Sequence, residues 1–531
     1  MFSKTSSLVA ALTAACLAAT SLTSLPAWAQ SSDTTQSSTT RVTFDGRTVT
    51  RENAKFVSNE ILIQTDPGTD VVDLINNFIQ DSPSQPRPTV RKLTANGTFF
   101  SLSYPTAGAN TTGNVQQLIT EGDPAAAALP STRLLTSIAS ASGVRAASRN
   151  YIVRIAQSDD INSIIGVPDQ PTSAPDAPSG GKRTPVFPND KNYNQLWHLK
   201  MNATGYSDTT APGASNFPHQ WAYTPDASKV IIAVLDTGLV ANHPDIDYAR
   251  AVEPGFDFIS AELETADDGT VGYDPDPTDP PESALKVDCG GNGWHGSHVA
   301  GIAGAATTNN QNGIAGGAWN VKVQSVRVLN KCGSGSLRDI VVGMYWAAGI
   351  SLSGIPDNPN PAHIINMSLG VSTPGCPPIM GLALEEIAKK DILVVAAAGN
   401  EGSPVSNSAP ANCNDVLSVA ASDQRGHLTS YSNFGSIIDI MAPGGDTGRD
   451  DDGNGTNDGI LSLVDKGYAR YNGTSMAAPL VAAAAALLKA ENPSLTAPQM
   501  RRLLKENAIP RNDEQCAKPC GAGLLNLDFK R

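Results

Sequence analysis

The sequence lacks clustered basic residues and repeats of fixed period, and beyond its first thirty residues it has no apolar run long enough to cross a bilayer. Lys and Arg total 37 against 51 Asp and Glu, which gives a formal net charge of −14 and a pI of about 4.9. Proteins that bind nucleic acids carry clustered Lys and Arg, so this balance predicts no nucleic-acid partner. Without a later run long enough to cross a bilayer, the sequence also predicts no membrane partner.

Aromatic residues are scarce as well, at 5% of the chain, whereas glycine occurs 47 times. Small residues at this frequency are typical of folds with many tight turns and close backbone approaches. At 531 residues the chain exceeds the size of one ordinary domain. Its length therefore predicts two or three folded units.

Residues 1–29 have the pattern of a secretory signal peptide. Lys4 precedes an apolar run over 8–19, and residues 27–29 (AWA) have the small-x-small pattern of a cleavage site. A transmembrane anchor is the alternative, but the run is short and contains Thr and Ser. A lipid-modified Cys16 is a second alternative, and the residues before it fit such a signal poorly. The sequence therefore predicts a secreted, extracellular protein.

Paired C-x-x-C motifs and an H-E-x-x-H motif are absent, which argues against the alternative of a zinc site. Seven cysteines are present, and loss of Cys16 with the signal peptide leaves six. An even number in an exported protein favours disulfides, although six cysteines allow 15 pairings and their order does not select one. We expect neighbours in the chain to pair: Cys289 with Cys332, Cys376 with Cys413, and Cys516 with Cys520.

The N-terminal part, residues 30–163, has the pattern of a small α+β domain. Alternating or apolar runs predict strands over 60–64, 99–104 and 151–154, and an amphipathic helix over 71–79. Residues 164–187 are rich in Pro, Gly and Ser. This composition predicts an extended linker that proteases reach easily.

Residues 188–531 alternate between apolar β-rich runs and helical patterns, which is typical of a parallel sheet with helices on both faces. The strands are expected over 230–235, 322–329, 363–367 and 392–397. The helices are expected over 295–306, 337–348, 380–389, 476–490 and 497–507. The predicted fold class is therefore α/β, with a doubly wound, mostly parallel sheet whose reactive groups gather at the carboxyl ends of its strands.

Three segments supply an acid, a base and a nucleophile. Asp236 lies in VLDTG (234–238), His295 in WHGSHVAG (294–301), and Ser475 in NGTSMAAP (472–479). A serine hydroxyl becomes a good nucleophile when an imidazole removes its proton and a carboxylate fixes the tautomer of that imidazole. The chain order Asp, His, Ser and the missing second glycine after Ser475 argue against an α/β-hydrolase, which has G-x-S-x-G.

These segments resemble the Asp, His and Ser blocks of subtilisin-like peptidases, in the order found in that family, and the resemblance covers residues 188–527. By family position His295 is the base and His298 is structural. Asn400, in AGNEG (398–402), resembles the residue that stabilises the oxyanion, and residues 521–526 resemble the closing motif. The edge expected to bind substrate comprises Ser368, Leu369 and Gly370.

The resemblance implies a serine endopeptidase that acts on proteins and peptides through an acyl-enzyme intermediate. Residues 30–163 resemble the inhibitory propeptide of the family, with 150–154 like its closing strand. Such a segment is expected to assist folding and to inhibit the enzyme until the precursor cleaves itself within the linker 164–187. We expect the mature enzyme, residues 188–531, to be a monomer.

Calcium is the cofactor that the resemblance implies. Thermitase-like members have a strong calcium site, which needs six or more oxygen ligands. In this sequence the matching positions are Asp190, Asp245, Thr307, Asn310, Asn312 and Ile314. Solvated polar turns are the alternative. A second candidate loop, 450–458, has D-x-D-x-N-G spacing, but Leu461 stands where a bidentate Glu is expected.

Two other functions remain open at this point. The D-T-G of Asp236 recurs at Asp446, and two such copies are typical of aspartic peptidases, in which two carboxylates share a proton. No apolar strand leads into the second copy, and that function leaves the His and Ser segments unexplained. An inactive secreted binding module is the other alternative, but no member of the triad or oxyanion residue is missing.

Overall fold

The computed structural model describes residues 41–44, 47–50, 56–80, 87–104, 132–156, 162–165, 184–202, 211–224, 226–260, 272–280 and 293–529. The predicted signal peptide and residues 166–183 of the predicted linker lie outside these ranges. Residues 41–44 and 47–50 pair as two antiparallel strands in a unit of their own. All the other strands and helices belong to the second unit.

The strands are β1 (Arg41–Phe44), β2 (Arg47–Thr50), β3 (Phe56–Thr65), β4 (Thr89–Lys92), β5 (Phe99–Ser103), β6 (Val144–Ile155), β7 (Asn162–Ile165), β8 (Ile231–Asp236), β9 (Val252–Asp257), β10 (Lys322–Arg327), β11 (Ser334–Ser336), β12 (Ile364–Met367), β13 (Leu369–Ser372), β14 (Leu393–Ala397), β15 (Ser408–Ala409), β16 (Val416–Ser422), β17 (Ile440–Pro443), β18 (Ile460–Val464) and β19 (Gly467–Tyr471). The α-helices are α1 (Val71–Gln80), α2 (Thr132–Ala139), α3 (Phe217–Trp221), α4 (Tyr248–Ala251), α5 (His295–Ala300), α6 (Leu337–Ala347), α7 (Pro378–Ala388), α8 (Thr474–Glu491) and α9 (Ala497–Asn507). None of these described helices is both long and apolar enough for a bilayer crossing.

A seven-stranded sheet with the order β17-β16-β14-β12-β8-β10-β9 forms the centre of the second unit. Every neighbouring pair in it is parallel. The four strands predicted from apolar runs are confirmed as β8, β10, β12 and β14. Helices α8 and α6 contact strands of this sheet, and the hydrophobic core is divided between two large clusters. The predicted parallel α/β architecture is thus confirmed.

Helix α8 passes through the centre of the larger core cluster. Residues 474–488 are all buried, and the helix contacts β12, β14, β16 and β17. A run of five alanines over 482–486 is fully buried, which lets the helix backbone approach the sheet closely. Because this helix begins at Thr474, close packing against the sheet fixes the position of Ser475.

The prediction of one α-helix over 295–306 is wrong for the second half of that range. Helix α5 ends at Ala300, and a π-helical turn covers Gly301–Ala305. Gly304 adopts a φ of 151°, and a Cβ atom there would lie 2.3 Å from the carbonyl oxygen of Ala318. The close approach of this neighbouring segment, which sequence periodicity does not encode, ends the regular helix.

The described residues between 56 and 156 form an antiparallel layer, here called the N-terminal layer, with strand order β4-β5-β3-β6. The predicted strands and helix of this region are confirmed. The predicted closing strand over 151–154 is the end of the longer strand β6, whose final residues leave the layer and pair with β11 and β13. Helices α6 and α7 contact β6. One strand therefore connects the N-terminal layer to the carboxyl edge of the central sheet.

Candidate active site

Asp236 and His295 meet at the carboxyl end of β8. Asp236 is the last residue of that strand and His295 is the first of α5. Nδ1 of His295 lies 2.7 Å from Oδ1 of Asp236, and both side chains are buried, at 0% and 1% exposure. A buried carboxylate at this distance holds the proton of the imidazole on Nδ1 and leaves Nε2 to accept one.

Ser475 lies one residue inside the start of α8, and its hydroxyl donates to the carbonyl oxygen of Ser368 at 3.0 Å. Within the described residues Nε2 of His295 has no hydrogen-bond partner. The nucleophile and the base are therefore not joined in this structure. Rotation about the Cα–Cβ bond of Ser475 is the one degree of freedom that carries the hydroxyl to another acceptor.

Asn400 follows β14 and is held by the residue before Ser475. Its Oδ1 accepts hydrogen bonds from the backbone N–H and the hydroxyl of Thr474, both at 2.9 Å. These two hydrogen bonds fix the orientation of the amide, so Nδ2 points away from Thr474. Nδ2 donates to the carbonyl oxygen of Ala156.

The carbonyl of Ala156, at the end of the N-terminal layer, occupies the candidate oxyanion hole. Its oxygen also accepts from the backbone N–H of Ser475 at 3.2 Å, and the N–H of Ala156 donates to the carbonyl oxygen of Ser368 at 3.1 Å. Ala156 is 7% exposed. Two converging donors on one carbonyl oxygen, beside a serine hydroxyl, are the arrangement expected for a peptide bond that is about to be attacked.

Residues 152–155, just before Ala156, form the middle strand between β11 and β13. β6 pairs antiparallel with β13 through Leu369 and Gly370, and antiparallel with β11 on its other side. Ser368, Leu369 and Gly370, the edge predicted to bind substrate, are thus brought against the chain's own residues 154–156. Strand β11 is not predicted from the sequence, because residues 333–336 are a run of small residues without an apolar pattern.

His298 lies on the same helix as His295 but makes different contacts. Its Nε2 lies 3.0 Å from the carbonyl oxygens of both Ile460 and Ala469, and its ring stacks on that of Tyr471. Burial lowers the pKa of His298 to about 3, so the ring is neutral and donates from Nε2. It attaches the β18–β19 hairpin to α5, as a structural residue would.

A buried ion pair joins the N-terminal layer to the start of α6. Oε1 of Glu60 lies 2.6 Å from Arg338, and Oε2 accepts from Asn150 at 2.7 Å. The backbone N–H of Arg338 donates to Asn150 at 2.9 Å. All three residues are at most 4% exposed. Because a buried charge that loses its partner destabilises a protein, this network favours the observed register of the layer against α6.

The residues predicted to bind calcium lie together on two loops and the segment near Asp190. Asp245 accepts from the Asn310 amide and the Ile314 backbone, and Asp190 accepts from the backbone of Asn310. The carbonyl of Asp245 accepts from the backbone N–H of Thr307, and the backbone N–H of Asn312 donates to Asn310.

The two carboxylates of this region fit a hard cation. Asp190 and Asp245 are 4% and 0% exposed. Burial raises the pKa of Asp190 to about 6, and the negative charge of Asp245 adds to that rise. Burial also raises the pKa of Asp245. A bound cation would relieve both effects, and the available side-chain and carbonyl ligands are oxygens, as Ca²⁺ prefers.

The second candidate loop brings carboxylates together as well. Oxygens of Asp450, Asp452 and Asp458 lie within 4.8 Å of one another. Asp450 and Asp452 are exposed, and Asp458 is buried. Hydrogen bonds inside the loop, from the backbone N–H of Asn454 to the first two, already account for its shape. The loop is an acidic cluster without a further feature that selects a ligand.

Two of the three expected disulfides are confirmed, Cys376–Cys413 and Cys516–Cys520. Cys332 is also disulfide-bonded. Cys289 lies outside the described residues, so its pairing with Cys332 stays a prediction.

Comparison with known proteins agrees with the geometry. A model of the subtilase family matches residues 227–523. An extracellular protease of Xanthomonas campestris is 40% identical over 348 residues, which are 60% of this chain and 56% of that protein. An extracellular basic protease of Dichelobacter nodosus is 39% identical, over 57% of this chain and 48% of its own length. This chain thus spans about half the length of these two relatives.

Two further comparisons cover nearly the whole of the matched protein. Subtilisin Savinase of Lederbergia lenta is 34% identical over 61% of this chain and 96% of its own length. The solved structure of a protease from Pseudoalteromonas arctica is 39% identical, with a TM-score of 0.55, and covers 64% of this chain and 97% of that one. With more than half of its length matched by the family model, this chain belongs to the subtilase family.

Proposed function

We propose that the chain is the precursor of an exported serine endopeptidase with Asp236, His295 and Ser475 as its catalytic triad. The observation that carries the proposal is the carbonyl of Ala156, bound by Asn400 and Ser475 next to the serine hydroxyl. Membership of the subtilase family excludes the aspartic-peptidase alternative. Accordingly, the carboxylate of Asp236 contacts His295, and Asp446 lies in the loop after β17.

In the proposed reaction the hydroxyl of Ser475 turns from Ser368 to Nε2 of His295, which removes its proton as the oxygen attacks the substrate carbonyl. Asp236 stabilises the imidazolium through Nδ1. The carbonyl oxygen of the substrate gains negative charge and accepts hydrogen bonds from the backbone N–H of Ser475 and from Nδ2 of Asn400. His295 then protonates the leaving amine. Water takes the place of the amine, and His295 removes its proton as the water attacks the acyl-enzyme. His295 returns a proton to the oxygen of Ser475 as the acid product leaves.

The first substrate is proposed to be the precursor itself, with the N-terminal layer as inhibitory propeptide. Residues 152–155 pair with β11 and β13, as the acyl side of a substrate would. The carbonyl oxygen of Ala156 accepts from Nδ2 of Asn400 and the backbone N–H of Ser475. These contacts support Ala156–Gln157 as the first bond to be cut. The sequence predicts the maturation cut itself within the linker 164–187. We propose that this cut follows the one at Ala156–Gln157, and that the enzyme then acts on other proteins and peptides as a monomer.

Reaction with mechanism-based inhibitors tests the proposed class. A serine-directed sulfonylating or phosphonylating reagent is expected to abolish peptide hydrolysis and to label Ser475, because only an activated hydroxyl reacts with it. A statine-type inhibitor of aspartic peptidases is expected to have no effect. Peptide mapping by mass spectrometry locates the label. An intact protein that neither hydrolyses peptides nor takes the label would instead support the inactive binding module.

Calcium is proposed to bind at Asp190 and Asp245, with Asn310 and carbonyl oxygens of the 307–314 loop as further ligands. Its role is to hold the segment near Asp190 against the loop, and no catalytic step passes through it. If calcium binds the folded state and not the unfolded state, it raises the free energy of unfolding by RT ln(1 + [Ca]/Kd). This is about 2.7 kcal/mol at roughly a hundredfold excess of calcium over Kd.

Chelation of the matured enzyme is therefore expected to lower its melting temperature in a thermal unfolding scan. Asp245→Asn should remove most of this calcium dependence, because it deletes a buried charge of the site. Asp452→Asn, in the exposed 450–458 loop, is the matched control and should retain it. A melting curve that strong chelator leaves unchanged would contradict the calcium proposal. A loss of calcium dependence only in Asp452→Asn would move the site to the other loop.

A further inference from the structure

Strand β19 is the middle strand of a small sheet beside the candidate active site. It pairs antiparallel with β18 along its whole length, from Gly467 to Tyr471. On its other edge it pairs antiparallel with β7, where Tyr468 lies opposite Ile165 and Arg470 opposite Asn162. If β7 leaves, an open strand edge remains, and its unpaired backbone groups can bind another extended chain.

The direction of β7 continues the path of a substrate away from the nucleophile. β19 runs toward Ser475, which follows Tyr471 by four residues. Because β7 is antiparallel to it, β7 leads away from that serine. Asn162 is six residues beyond Ala156 and Ile165 is nine beyond it. Asn162, the first described residue after Ala156, therefore lies at the end of the β19 edge nearer to the serine.

The hairpin that carries this edge is fixed to the catalytic helix. The ring of His298 bridges carbonyl oxygens of both strands, at 3.0 Å each. The hydroxyl of Ser462 donates back to the carbonyl of His298 at 2.7 Å, and that of Tyr471 donates to Gly293 at 3.0 Å. At the far end, Nε2 of His243 contacts the carbonyl of Gly467 at 2.9 Å. An edge held in this way needs no rearrangement to bind a strand.

We propose that the edge of β19 is a binding site for the polypeptide on the leaving-group side of the cleaved bond, six to nine residues beyond it. Binding occurs by strand addition, so it depends on main-chain hydrogen bonds. Its first occupant is the chain's own segment Asn162–Ile165. That segment stays attached to the enzyme after cleavage at Ala156–Gln157, and a second cut within 166–187 frees the edge for substrates. This inference rests on the proposed function.

Three peptides of this chain's sequence test the site on the matured wild-type enzyme. The long peptide spans residues 148–165, and the short one spans 148–160. The third is the long peptide with methylated backbone nitrogens at positions 162 and 164, which cannot donate to a neighbouring strand. We expect the long peptide to have a roughly tenfold lower KM than the short one with an equal kcat, because the added contact is made equally before and during reaction. The methylated peptide should have the KM of the short one.

The outcomes separate this inference from the proposed function. Equal KM values for three peptides that are all cleaved at the Ala–Gln bond would overturn the inference alone. A matured enzyme whose sequenced N terminus lies before residue 166 would also overturn it, because the edge would stay occupied. Failure to cleave any of the peptides would overturn the proposed function instead.

Discussion

Asn400→Ala is expected to lower kcat on a peptide substrate by about 10² to 10³ and to leave KM nearly unchanged. The amide of Asn400 already points at the carbonyl oxygen of Ala156, held there by two hydrogen bonds from Thr474. Such a donor contributes more as the oxygen becomes negative than it does to the ground state. The magnitude is carried over from the equivalent residue of subtilisin, a member of this family, rather than calculated for this chain.

Steady-state kinetics on purified variants checks this expectation. The kcat of Asn400→Asp should be no higher than that of Asn400→Ala, because a carboxylate offers no donor and repels the oxyanion. Asn412→Ala is the matched control, since the amide of Asn412 donates to the carbonyl oxygen of Ser406 and, among the described residues, makes no hydrogen bond with Ser475, Thr474 or Ala156. A wild-type kcat in Asn400→Ala, or a change confined to KM, would remove Asn400 from the oxyanion hole and leave the triad untouched.

Ser475→Ala is expected to produce a precursor that stays uncut and hydrolyses no peptide at a useful rate. Loss of the nucleophile costs about 10⁶ in kcat, a magnitude known for subtilisin itself and applied to this family member. The fold should persist, because among the described residues the hydroxyl of Ser475 makes one hydrogen bond, to the carbonyl oxygen of Ser368. Ser494→Ala, a variant of an exposed residue beyond the end of α8, is the control and should mature normally.

Gel electrophoresis and mass spectrometry of the purified variants follow maturation. Traces of wild-type enzyme are expected to cut the Ser475→Ala precursor within 164–187, the linker that its composition predicts to be accessible, because only the precursor's own nucleophile is missing. A protease-free preparation of Ser475→Ala that matures at the normal rate would contradict self-processing.

The sequence predicts the central sheet and the reactive residues because both leave local signals. Parallel strands buried on two faces are continuous apolar runs, as in β8 and β14. Asp236, His295 and Ser475 each lie at the end of a strand or the start of a helix, and each is embedded in small residues that let the backbone approach closely. In β9, Pro254 and Gly255 interrupt the run and are typical of a turn. In β16, Ala and Ser weaken the apolar signal, although every residue is buried.

Other features depend on pairing between distant segments and have no local signal. The position of Ala156 follows from the pairing of β6 with residues more than 170 positions later, at β11 and β13. The same holds for the Glu60–Arg338 pair, 278 residues apart, and for the docking of β7 on β19. The orientation of the Ser475 hydroxyl toward Ser368 is a choice of rotamer, which motif and spacing do not encode.

The mass of the N-terminal fragment released during maturation tests the central claim, that this chain cuts itself with Ser475 at the bond held in its own active site. Wild-type precursor that is allowed to mature and is then quenched at early times with a serine reagent should yield a fragment whose last residue is Ala156. The Ser475→Ala precursor should yield none. A first fragment of the wild type that ends elsewhere, with Ala156–Gln157 intact, would contradict the account.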